Sequence, residues 1–173
     1  MTYYRNRAWA DTYHEEVFSK MKTWFYKHGL RGTTTMTTDT ADWHEDVEHG
    51  TDYVLRLNTE IKMAGRVRSR QYEGYFDHDF SLREHNGNSQ DTEWKKFLDG
   101  RFPPYYGVFI GNDDGTLHRG RLLDMDYLRR EIVGDNDKFI KVAGSIKVPH
   151  QAPHQRFLTV EYADFPGLVI DSF

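Results

Sequence analysis

The chain has no cysteine in its 173 residues, which excludes a disulfide framework and any thiolate metal site. It has no apolar run near the roughly 18 residues that a membrane span needs. Nor does its N-terminal stretch read as a signal peptide, so a cytoplasmic protein with no membrane partner is expected. Positive charge is also short. Against 27 acidic residues there are 23 Lys and Arg, and the net charge of −4 excludes whole-molecule attraction to nucleic acid. Repeats, low-complexity tracts and linkers are missing, and the length suits one domain over residues 1–173. Neither a Gly-rich phosphate loop nor a Gly-x-Ser-x-Gly motif occurs.

What is there begins with aromatics, 15% of the chain, enough to build much of a core. Charge is unevenly placed. Residues 39–52 hold six acids (Asp39, Asp42, Glu45, Asp46, Glu48, Asp52) and no Lys or Arg, whereas 61–72 hold Lys62, Arg66, Arg68 and Arg70 and no acid. Two readings stay open. These are solvated surfaces that pair with each other, or a metal-collecting edge beside a phosphate-collecting one.

Periodicity predicts a helix from about Arg5 to His28, with Trp9, Tyr13, Val17, Met21 and Trp24/Phe25 on one face. A short strand is expected at Thr33–Thr38, then a hairpin of Tyr53–Leu57 and Ile61–Arg68. A strand at Asp79–Glu84 follows a Tyr/Phe-rich connection. A helix capped by Asp91 or Thr92 carries Trp94, Phe97 and Leu98. Tyr105–Ile110 reads as a buried strand, and Gly111-Asn112-Asp113-Asp114-Gly115 as a turn. Leu117–Leu123, a helix near Asp126–Glu131, and strands at Phe139–Val142 and Phe157–Glu161 complete the chain. The expected class is α+β, with a single mixed sheet flanked by helices.

Asp52, Glu60 and Lys62 spell Asp…Glu-x-Lys, the signature of magnesium-dependent nucleases. Hairpin geometry argues against it. A turn centred near residue 59 sets Asp52 opposite Arg66, while Glu60 and Lys62 sit at the far turn. At roughly 3.3 Å per residue, eight extended residues span on the order of 25 Å. Two carboxylates on one metal must lie within a few ångströms of it. Glu60-x-Lys62 is therefore a decoy.

The order helix, strand, hairpin, helix, strand, with an Asp in the second strand and a base in the third, resembles the PD-(D/E)XK nuclease fold. More narrowly, "TDYVLRL", "AGRVRSR", "DFSLRE", "TEWKKFLDG" and "YYGVFI" resemble a group of short phage-type proteins of unassigned function. The resemblance implies a nuclease-like core over about 5–111 with C-terminal additions over 112–173, and a host-cell cytoplasmic setting. It puts Asp52 at the first metal-binding acid, Ala64 where a Glu or Gln stands, and Arg66 where a Lys stands. Alanine cannot ligate a cation, and arginine cannot serve as a base, although it can hold a phosphate.

Within such a core the missing acid can migrate to the helix, where Glu93 stands with Lys96 one turn on; Glu15 or Glu16 of the first helix is a further candidate ligand. The implied site has Asp52 and Glu93 on a magnesium ion and Arg66 stabilising the phosphate. Arg66, Arg68, Arg70 and Lys96 would bind nucleic acid. The competing expectation is a non-catalytic binding protein that has lost the metal and interferes with a host nucleic-acid or defence protein. A purely structural role, with Asp52–Arg66 and Glu93–Lys96 as ordinary ion pairs, also accounts for these residues. The five-residue spacing of His44 and His49 does not align on a helix, the segment PHQAPH that holds His150 and His154 is not expected to be helical, and the loop at 112–115 lacks the Glu of a calcium site.

Overall fold

A computed structural model describes residues 12–27, 37–40, 53–56, 60–87, 91–149 and 153–173; for 26, 37–40, 53–56 and 60 it describes the backbone alone. Helix α1 spans His14–Lys27. Strands β1 (Thr37–Thr40), β2 (Tyr53–Arg56) and β3 (Glu60–Ser69) follow. After a 3-10 turn at Arg70–Tyr72 come a single helical turn α2 (Glu73–Phe76), strand β4 (Asp79–Asn86), helix α3 (Glu93–Leu98) and strand β5 (Tyr105–Gly111). The remainder is β6 (Leu117–Asp124), α4 (Met125–Gly134), α5 (Asn136–Ala143), β7 (Gln155–Glu161) and β8 (Val169–Ser172).

The fold is α+β, as expected. A mixed sheet runs β1-β2-β3-β5-β6-β8, and β4 and β7 leave it to form a separate two-stranded ribbon. Strands β3 and β5 are parallel, which requires the crossover that carries α3; the other pairs of the sheet are antiparallel.

Alternation along the central strands sends side chains to two different layers. Met63 and Phe109 join Tyr13, just before α1, and Val17, Met21, Trp24 and Phe25 of α1 in one core. Glycines on this side let rings lie against the strand: a Cβ at Gly111 would come 2.5 Å from the Tyr13 ring. Ala64, Tyr106, Val108, Ile110 and Leu123 face the other way, into a core shared with Phe80, Leu82, Trp94, Phe97, Leu128 and Leu158. The second layer is thus the ribbon and helices α3 to α5.

Two expectations need correction. Phe139–Val142 is not a strand but part of α5. Asp135 caps that helix by accepting from the backbone N–H groups of Asp137 and Lys138, and a local cap outweighs a short run with three apolar residues. The β2–β3 register also differs from the expected one. Arg56 faces Glu60 and Tyr53 faces Met63, so every partner moves by two residues. Asp52, its expected pairing with Arg66, and His44, His49 and His150 lie outside the described residues. Glu60 does open β3 directly at the hairpin end.

Candidate functional site

A cleft of about 600 Å³ opens between the mixed sheet and the ribbon. Its sheet wall is built by β3 and β5, where Arg66 pairs in register with Val108 and Arg68 with Ile110. The same rows continue into β6: Val108 faces Arg121 and Ile110 faces Arg119. Four arginines therefore share one face, an arrangement that repulsion opposes unless each finds a counter-charge.

Three of them have one. Arg119 grips Asp77 through two bonds of 2.8 and 2.6 Å, and Arg121 reaches the same carboxylate at 3.0 Å. Those guanidiniums hold the Asp77 carboxyl below its ordinary range. Arg66 donates to Glu93 and, at 2.9 Å, to the Ser81 carbonyl. Arg68 differs. It donates to the Ser81 hydroxyl at 2.6 Å and lies over the Tyr72 ring at 5.3 Å, and among the described residues it forms no ion pair. Burial, and then the neighbouring Arg66, pull its pKa down, the direction expected of a cation short of counter-charge.

The cleft mouth alternates cations with rings. Lys147 lies over Tyr75 at 6.0 Å and sits 3.8 Å from Asp79, an acid whose pKa burial raises. Phe157 of β7 lies 5.7 Å from the Arg66 guanidinium. Tyr72 and Tyr75 stay 40% and 61% exposed, unusual for rings this large beside a core.

Glu93 is a poor fit to a magnesium ion. One oxygen accepts from Arg66 and the other from the Arg83 backbone N–H at 2.8 Å. Burial would raise the Glu93 pKa, but the Arg66 and Arg83 charges and these bonds outweigh it and hold the carboxyl down. A divalent cation there would stand beside a guanidinium that already neutralises the acid. Among the described residues, no group of three or more His, Asp or Glu gathers around a point where a metal ion could sit.

The other sequence candidates scatter. Glu15 and Glu16 belong to α1, on the opposite side of the sheet from Glu93, and Glu16 accepts from the Leu117 N–H. They cannot complete a shell with Glu93. Arg70 falls just beyond β3, leaves the arginine row and pairs with Glu73 at 3.4 Å. Lys96 is only 6% exposed and does not line the cleft. Arg66, Arg68 and Glu93 are the three brought together. Sequence reasoning missed Ser81, Tyr72, Tyr75, Asp79, Lys147 and Phe157. The Tyr/Phe-rich connection before β4 signals the two tyrosines; Lys147 and Phe157 reach the cleft only through a ribbon pairing that no local pattern announces.

Comparison with family models, curated proteins and solved structures finds no match.

Proposed function

We propose that the chain binds nucleic acid, holding a backbone phosphate on Arg68, with Arg66 beside it, in the cleft flanked by Tyr72 and Tyr75. One observation carries this: a partly buried guanidinium that faces a cleft without a carboxylate of its own among the described residues. Desolvating a cation without a partner is costly, and an anionic ligand offsets that cost. The planar guanidinium suits phosphate oxygens, which it can contact through two N–H groups at once.

Binding without hydrolysis is the favoured form. Ala64 supplies no ligand, and both Glu93 oxygens are engaged. A host nucleic-acid or defence protein as target belongs to this form as well. The element order, with α3 crossing between parallel β3 and β5, supports a nuclease-like core on which magnesium-dependent cleavage is the second reading; it depends on Asp52.

The test is binding of labelled nucleic acid at low and moderate salt by the parent chain and Arg68→Ala, with a parallel cleavage assay in manganese. The parent should bind, with affinity falling by a log–log slope of about −0.9 per phosphate contact on duplex or about −0.7 on single strands. Arg68→Ala should lower both affinity and slope. No binding by the parent at low salt removes nucleic acid as partner. Cleavage that disappears in Asp52→Asn would instead favour the enzyme.

A further inference from the structure

We infer that the cleft accepts one nucleotide of an unpaired strand, phosphate on Arg68 and base against the tyrosines at the mouth; this rests on the binding reading above. Size is the first argument. About 600 Å³ falls in the range of small-ligand sites, and the space is walled on one side by β3 and β5 and on the other by the β4–β7 ribbon. Arg68 is tied to Ser81 inside those walls. A duplex carries its phosphates on the outside of a wide rod, and that rod would have to pass between sheet and ribbon to reach Arg68.

The second argument is the chemistry of the mouth. Tyr72 lies under Arg68 and Tyr75 under Lys147, so each exposed ring is paired with a cation. Rings interleaved with cations are what an unstacked base and its phosphate require, because every base offers a π face once it leaves the helix. In a duplex those faces are covered by neighbouring base pairs. Asp79, beside Lys147 in the same cleft and within the field of Arg68, disfavours more than one phosphate there.

Fluorescence anisotropy on the full chain decides it, with a short labelled oligothymidylate, a blunt duplex of the same length, and dTMP as competitor. The single strand should bind at least about tenfold more tightly than the duplex. Tyr75→Ala should weaken the strand by about tenfold, the scale of one lost base–aromatic stack. Because Tyr75 is 61% exposed, its removal should leave the thermal melt unchanged. Displacement of the strand by dTMP supports occupancy by one nucleotide. Equal affinity for strand and duplex, or no effect of Tyr75→Ala, overturns the inference. A duplex bound tightly through Arg68 overturns it while the binding reading stands. Binding to neither nucleic acid removes both.

Discussion

Glu93 and Arg68 sit within one network yet carry opposite burdens. Glu93 has more donors than it needs as a structural acid, and Arg68 has fewer acceptors than a partly buried cation calls for. Ser81 joins the two halves, since its carbonyl takes Arg66 and its hydroxyl takes Arg68. Glu93→Gln tests this division. The side chains of the Arg66–Glu93 pair are 16% and 22% exposed, so loss of the charge should cost about 2 kcal/mol in a denaturant titration. The same change releases Arg66 and should strengthen phosphate binding, whereas a metal-ligating Glu93 would give loss of cleavage.

The pH dependence has a definite sign. Glu93 has a folded pKa below its ordinary 4.5, so its contribution is fully present above that value. It is lost as pH falls through the lower folded value. The parent should therefore lose more stability than Glu93→Gln on acidification below 4.5. Parallel curves would show that the carboxylate contributes nothing. At this scale the sequence shows which residues are chemical, among them Arg66, Arg68 and Glu93. Which of them meet is hidden, because Arg66 and Glu93 are 27 positions apart and meet only after α3 crosses the sheet.

Elements are more legible, for physical reasons that differ from one to the next. The α1 face is readable because Val17, Met21 and Trp24 repeat at helical spacing, in step with Tyr13 just before the helix, and all are buried. The turn at 112–115 is readable because Asp114 uses its carboxylate on the Thr116 N–H at 2.9 Å and Gly115 takes φ of 88°, as Asp and Gly in turns commonly do. Helix α3 is set by Thr92, which accepts from Lys95, and by the apolar pair Trp94 and Phe97. Phe139–Val142 misleads because four residues cannot distinguish a strand from a helical turn. The deciding signal lies upstream, in Asp135. Asp135→Ala should destabilise α5 and the protein by about 1 kcal/mol in a thermal melt, and Asp135→Ser should recover most of it. No change in the melt would mean that α5 is held by packing alone.

Across the whole molecule, a net charge of −4 coexists with a face on which four arginines share two adjacent rows. Composition reports only the sum, and β6 brings Arg119 and Arg121 to that face from more than 50 residues away in sequence. Packing then separates structural cations from the one left available: Asp77 occupies two, Glu93 a third. The sheet's other face packs against α1. Separation of the ribbon from the main sheet is what makes the space, because β4 and β7 stand opposite β3 and β5 rather than beside them.

The central claim is that Arg68 meets the phosphate. Arginine side-chain NMR reads this directly, by following the Nε–Hε signals while a short oligothymidylate is added at low salt. The Arg68 signal should shift saturably and return when salt is raised, while Arg129, whose Nε donates to the Leu98 carbonyl away from the cleft, stays in place. An unmoved Arg68 signal, with shifts spread instead over surface cations, would contradict it.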